Sequence, residues 1–225
     1  NTKYAKNIID NDIKLNHILN DNFPCEIDEN SRQTFSLNDY KDIVDVSDNY
    51  NNGKLLETGC MIKGEVFTAK PIPKVEKIYP LSKIIDISKS YNEKDMSNYI
   101  VNNEKLEKWK YMKGSKKIER TNKDGKTYFY SEGAIAFPED LNKPARTILT
   151  SEGSTNRTSH IIYDKDLNDY RILTEVECEL IQMFPPNWTK DVMSKRKRYF
   201  MMGNALVTGI INRLESSLRS IIEKE

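Results

Sequence analysis

Apolar residues recur at helical spacing most clearly near the C-terminus. Val207, Ile210, Ile211, Leu214, Leu218 and Ile221 fall on one face of a helix predicted to follow Gly203-Asn204. Such a stripe has to pack against something larger. Upstream, the strand-like Tyr170 to Leu173 runs into Thr174-x-x-Glu177, a capping box that satisfies orphan N–H groups and so fixes a helix start. Pro185 cannot extend that helix and biases Phe184 out of helical backbone, so the helix should stop by Met183 or Phe184. Two hairpins are predicted. Gly59 to Ile62 and Glu65 to Ala69 turn at Lys63-Gly64, with Pro71 and Pro73 ending the second strand, and Lys116 to Thr121 and Lys126 to Tyr130 turn at Asp124-Gly125. Asn102-Asn103 can cap a helix to about Tyr111, with Leu106 and Trp109 or Lys110 on one face. Ile8, Ile9, Ile13, Leu15, Ile18 and Leu19 allow one or two short helices, and Leu81, Ile84 and Ile85 form an apolar cluster before the polar Asp86 to Ser97. Pro144 to Thr150 and His160 to Asp164 read as strands joined by the polar loop Ser151 to Ser159.

Composition changes this picture in one respect. The 225 residues suffice for one large domain or two small ones, and the formal net charge is only +1. Its distribution is uneven: Asn1 to Cys60 carries eleven Asp/Glu against six Lys/Arg, whereas Val101 to Tyr130 carries nine Lys/Arg against four Asp/Glu. A near-zero average therefore conceals a basic face. Cys25, Cys60 and Cys178 are odd in number and widely spaced, as expected of reduced thiols in a cytoplasmic protein. With two histidines, His17 and His160, and no Cys-x-x-Cys, no metal site is expected. No apolar run is long enough to span a membrane. The sequence begins at Asn1 rather than Met, which suggests a piece of a longer translation product.

Candidate chemistry follows the basic segment. Lys116, Lys117, Arg120, Lys123 and Lys126 interleave with Tyr128, Phe129 and Tyr130, as a surface that contacts phosphates and buttresses a loop requires. A solvated hairpin with its aromatics in the core has the same pattern. On the 151–159 loop, Arg157 can pair bidentately with a guanine edge or hold a phosphate, and the sequence does not choose between them.

One longer pattern adds a family. Arg171-x-Leu173-Thr174-x-x-Glu177-x-x-x-x-Gln182-x-Phe184-Pro185-x-x-Trp188, followed by Met202-Gly-Asn-Ala-Leu-Val207, resembles the last two motifs of the DNA cytosine-5 methyltransferases, and Pro144 to Thr150 is similar to a short segment of their target-recognition region. The resemblance covers roughly residues 58 to 225. It implies an α+β chain: a segment over 1–80 leading out of the catalytic domain, a small target-recognition domain of short strands and loops over 81–190, and a C-terminal segment over 191–225. The helix of that last segment would complete an α/β, Rossmann-like catalytic domain largely absent from this chain. It further implies double-stranded DNA as a partner, contacted by Lys116, Lys117, Arg120, Lys123, Arg146, Thr147, Ser151 and Arg157, and S-adenosyl-L-methionine as cofactor, bound in part by Gly203, Asn204 and Ala205. The family's cysteine nucleophile stands in Pro-Cys-Gln. Pro24-Cys25 is followed by Glu26, with no Gly-rich loop or Glu-Asn-Val after it, so no catalytic residue is assigned to this chain. The expected partner is an N-terminal catalytic half, upstream in the same chain or in a separate subunit. The alternative is a DNA-binding module without enzymatic role, which leaves Met202-Gly-Asn-Ala unexplained.

Overall fold

The computed structural model describes residues 22–51 and 55–223. The expected helices among Ile8 to Leu19 lie outside the described residues. In chain order the elements are β1 (Cys25–Ser36), α1 (Ile43–Asn49), β2 (Thr58–Ile62), β3 (Glu65–Pro73), α2 (Leu81–Ser88), a 3-10 turn (Ser97–Tyr99), α3 (Asn103–Lys113), β4 (Lys116–Thr121), β5 (Thr127–Glu132), β6 (Ile161–Asp164), β7 (Asp169–Ile172), α4 (Glu175–Ile181), α5 (Lys195–Asn204) and α6 (Thr208–Ile222). Small antiparallel sheets and short helices thus make up a mixed α and β chain in two compact units. One holds the residues through Glu76 with Asn212 onward, and the other holds Lys77–Ile211.

The first unit is built on a three-stranded sheet of order β1-β3-β2. Lys63 and Gly64 both adopt positive φ, the primed turn that a two-residue hairpin requires. β3 continues through Pro71 and Pro73, beyond the expected end. Its pairing explains why. β2 reaches only Ala69, so both prolines lie where β3 is paired on one side alone, against Ile27 and Cys25 of β1. β1 and α1 were not foreseen. The opening of β1 is the Pro24-Cys25 sequence, and Cys25 sits in that ladder opposite Pro73. Arg213, in the part of α6 belonging to this unit, pairs with Glu76 at 2.9 and 3.0 Å and lies over the Phe23 ring.

The second unit is organised around the short strand β6. Successive strand residues point to opposite faces. Ile161 accordingly joins Val101, Leu106 and Trp109, while Ile162 joins Leu81, Ile84, Ile85, Ile148, Leu173, Cys178, Tyr199 and Met202. One four-residue strand thereby closes two cores. The apolar cluster at Leu81 is helix α2. Pro80 offers it no side-chain cap, so its first N–H groups, Leu81 and Ser82, donate to the carbonyls of Lys143 at 2.8 Å and Leu141 at 2.9 Å. Residues 144–149 form no strand, contrary to expectation: they run without a ladder partner, and the chain just before them is engaged in capping α2. α3 begins as expected, with the Asn102 side chain accepting from Lys105 N at 2.9 Å. α4 begins at the Thr174 capping box, in which both hydrogen bonds form, and gives way at Gln182 before the positive-φ Met183.

The segment around Gly203-Asn204 departs most from expectation, because a basic run, Lys195 to Arg198, opens a helix ahead of it. That helix is α5, so Gly203-Asn204 closes one helix instead of opening another, and the amphipathic helix starts at Thr208. Thr208 N donates to Gln182 O and Thr208 Oγ1 to Met183 O, which ties the start of α6 to the end of α4. None of the residues of α6 is fully buried among the described residues, and Ile210, Ile211, Leu218 and Ile222 are exposed.

Candidate nucleic-acid interface

The loop between residues 151 and 159 is held from beneath by buried charge. Glu152 accepts from His160 N and meets His160 Nδ1, both at 2.8 Å, and both side chains are buried. Arg146 grips Glu139 through Nε and Nη2 at 3.0 and 2.6 Å and donates from Nη2 to Thr158 O. Glu139 also faces the buried Lys113 at 3.4 Å. Burial pushes the Lys113 ammonium below its ordinary range, against the opposing pull of Glu139. Ser159 Oγ donates to Ser154 O, Asn156 Oδ1 accepts from Thr158 N, and Gly153 supplies the positive φ the turn needs. Only the tip, Ser154 and Thr155, is fully exposed. A loop tied at so many points presents its tip in one conformation, which is what recognising a fixed partner requires.

Arg157 does not project from this loop. Its Nε donates to Met112 O at 2.9 Å, its Nη2 to Gly133 O, and it lies 3.2 Å from Glu132. Trp109 Nε1 donates to Asn156 O beside it. The far end of the loop is therefore fastened to the root of the β4–β5 ribbon. Arg146 and Arg157 are both engaged within the chain, whereas Thr147 is exposed and Ser151 is half-buried.

The ribbon itself stands in solvent on both faces. In the register Lys117↔Ser131, Glu119↔Phe129, Arg120↔Tyr128, nearly every residue is exposed. Its rings are not in a core. They carry cations instead: Lys117 lies over Phe129 and Arg120 over Tyr130, at 4.7 and 3.9 Å. Lys116, expected to contact DNA, is turned inward: it lies 4.6 Å over the Tyr111 ring of α3, donates to Met112 O at 3.2 Å and is 3.7 Å from Glu132. Lys123 and Lys126 flank the Gly125 turn, which adopts positive φ. An isolated two-stranded hairpin is marginal in water, so a ribbon with no packed face is suited to resting on a partner.

The start of the loop is fastened elsewhere. A Cβ on Gly203 would fall 2.3 Å from Thr150 N and 2.4 Å from the Leu149 carbonyl carbon, and one on Gly153 would fall 2.5 Å from the Tyr199 ring. α5 is thus pressed backbone to backbone against residues 149–150, and that contact explains a glycine at position 203. Asn204 ends the helix and donates from Nδ2 to Phe200 O at 3.1 Å. The two readings of Asn204 as a helix N-cap and as a helix N-terminus facing a ligand both lapse, because the last turn of a helix presents carbonyls instead of N–H groups. Residues 205–207 run outside helix and ladder, so their N–H groups are committed to neither. This short edge, with the exposed Asn204 amide oxygen, fits a polar ligand group. Walls for an adenosine or a sulfonium are not among these residues.

Beneath the site lie two charge networks that the motif spacing did not disclose. Arg171 donates to both oxygens of Glu177 at 2.8 and 2.7 Å and to Asp164 at 2.6 Å, and Ser88 Oγ reaches the same Glu177. Burial works against the Arg171 charge, but Glu177 and Asp164 overcome it and hold the guanidinium ionised. Arg198 pairs with the buried Glu179, which also accepts from Thr189. These are the Arg and Glu of the Arg-x-Leu-Thr-x-x-Glu pattern and Arg198 of α5, and they join β7, α4 and α5 into one block.

The two C-terminal motifs, both placed in this unit, agree with the family match: the chain belongs to the C-5 cytosine-specific DNA methylase family, whose pattern it matches over residues 7–220. Among curated proteins it is similar to the Type II methyltransferase M.Sau3AI of Staphylococcus aureus, 38% identical over 213 residues that cover 95% of this chain and 49% of that protein. The chain therefore spans about half the length of the curated relative it matches. Among solved structures it is similar to the Dnmt2 methyltransferase of S. pombe, with TM-score 0.41 and 13% identity over 71% of this chain and 53% of that one. No helix among the described residues is long and apolar enough to cross a membrane, and none of them forms a His/Cys/Asp/Glu group that could hold a metal ion.

Proposed function

We propose that this chain is the target-recognition and C-terminal portion of a cytosine-5 DNA methyltransferase. It binds a specific duplex site and completes the S-adenosyl-L-methionine pocket of a catalytic half that supplies the nucleophile and the acid. The observation that carries this reading is the 151–159 loop, locked by the Glu152–His160 and Arg146–Glu139 pairs and rooted through Arg157 in a ribbon whose Lys117, Arg120, Lys123 and Lys126 are exposed. Lys117, Arg120, Lys123 and Lys126 hold phosphates, and the loop tip with Thr147 and Ser151 approaches base edges. Arg146 and Arg157 act as positioning residues that fix the loop. S-adenosyl-L-methionine supplies the methyl group. Asn204 and the N–H groups after it orient the cofactor, and the apolar stripe of α6 lies against the catalytic half.

Lys117→Ala and Lys123→Ala are expected to weaken binding of all duplex sequences alike and to reduce the salt slope of log K by about one each, whereas Arg157→Ala lowers the preference for the target site. Titrating site variants at several salt concentrations measures both. Failure of the chain to bind any duplex, at low salt and with its catalytic half present, removes the proposal.

For the cofactor edge, Asn204→Ala in the complete enzyme is expected to weaken S-adenosyl-L-methionine by roughly 0.5–1.5 kcal/mol if an uncharged group is contacted, or about 1.5–3 kcal/mol if a charged one is. DNA affinity should be unchanged. Calorimetric titration paired with melting curves reads the outcome, and unchanged cofactor affinity favours the non-catalytic DNA-binding module.

A further inference from the structure

Helix α5 opens with four consecutive cations, Lys195, Arg196, Lys197 and Arg198. Their environments differ. Arg198 is buried on Glu179, and Lys195 bonds Glu93 and the Tyr99 hydroxyl. Arg196 and Lys197 are exposed, and neither forms an ion pair among the described residues. The first turn of a helix is the positive end of its dipole, where cations are unfavourable, and α5 has no acidic residue there to offset them. Helix stability therefore does not account for the placement.

What lies beside Arg196 does, and Lys197 is the next exposed residue of the same turn, just outside that lining. Between α5 and residues 150–154 is an open cleft of about 820 Å³, lined on one side by Lys195, Arg196 and Phe200 and on the other by the hydroxyl-bearing Thr150, Ser151 and Ser154. Glu152 and Glu175 also border it, but they are buried and bonded inward, to His160 and to Tyr99. The cleft mouth is left to Arg196, the Glu93-paired Lys195, the hydroxyls, the exposed Asn98 amide and the Phe200 ring. Its position in the loop is the second observation. Residues 150 and 153 touch α5 at Gly203 and Tyr199, whereas residues 156 and 157 touch the root of the β4–β5 ribbon. The single rigid loop is fastened at one end to each of two basic elements.

We propose that Arg196 and Lys197 form a second phosphate-binding arm, which holds the DNA backbone at the α5 end of the 151–159 loop while the ribbon holds it at the other. This rests on the reading of the chain as a duplex-binding methyltransferase portion and adds to it a site outside the recognition loop and its motifs. The ligand is a run of phosphodiesters, read through charge alone. Two grips on one backbone, with the loop between them, fix the register at which the tip meets the base edges.

The test compares salt slopes on cognate and unrelated duplexes for the chain together with its catalytic half. Arg196→Ala and Lys197→Ala are each expected to reduce the slope of log K against log salt by about one, and the double variant by about two, equally on both duplexes. Arg196→Lys should keep the wild-type slope. Melting curves verify that the variants are folded, as expected for exposed side chains. If the α5 variants keep the wild-type slope while Lys117→Ala and Lys123→Ala lower it, the second arm is excluded and the DNA-binding reading stands. If neither set changes the slope, the second arm and the ribbon's role both fall. If the α5 variants weaken the cognate duplex alone, the side chains read bases and the phosphate assignment is overturned.

Discussion

Glu177→Ala should cost about 3–5 kcal/mol of stability, the range for removing one member of a buried ion pair. The side chain does two jobs at once. Its carboxylate takes both Arg171 Nη groups and Ser88 Oγ, and it accepts from Thr174 N to close the capping box of α4. Truncation would leave Arg171 buried, with only Asp164 to balance it. Glu177→Gln separates the two jobs, since glutamine serves at this position of a capping box but brings no charge. Urea unfolding followed at the Trp109 environment, which lies in the same compact unit, gives both values. If Ala costs only about 1 kcal/mol and Gln leaves the stability unchanged, the glutamate contributes only a cap.

Gly203→Ala should be destabilising by about 1–3 kcal/mol, although alanine is the better helix former, because the added methyl meets backbone that cannot rotate away. The atoms in its path are Thr150 N and the Leu149 carbonyl carbon. Gly209→Ala is the matched control. Its methyl would meet the Met183 side chain, whose long thioether can move, so the change should lie within about 1 kcal/mol of wild type. The two variants also differ in function. Displacing α5 moves the start of the recognition loop, so Gly203→Ala should weaken duplex binding at a temperature where it is still folded, and Gly209→Ala should not. Melting curves and duplex titrations on both variants decide it. A Gly203→Ala variant that melts higher than wild type and binds DNA normally would show that the close approach to residues 149–150 is not required.

These two positions mark the division between what is written locally and what is not. The glutamate of the capping box is legible because a cap bond spans three residues and has a fixed spacing, and the Lys63-Gly64 and Asp124-Gly125 turns are legible because few residues accept positive φ. The helix after Asn102 and the amphipathic stripe of α6 are local in the same sense. The methylase family, too, was readable from two ordered motifs, and the match over residues 7–220 agrees with it.

Sequence did not reveal which partners the charged residues take. Arg157 sits on a polar loop, where the sequence offers it to a base edge or a phosphate, yet its acceptor at Met112 lies 45 residues away. Glu177 and Ser88 are separated by 89 residues, and Arg198 and Glu179 by 19. No periodicity encodes such pairs, because they form only when separate elements bury the same space, where an unpaired charge is too costly to leave. Nothing local in the basic run 195–198 marks Arg198 as the partner of Glu179 or places Tyr199 in the core; both follow from the packing of α5 on α4. Gly203 is the plainest case: the sequence presents it as a motif glycine before a helix, whereas the tertiary structure places it in the last turn of one, where the 149–150 backbone leaves no room for a single methyl group.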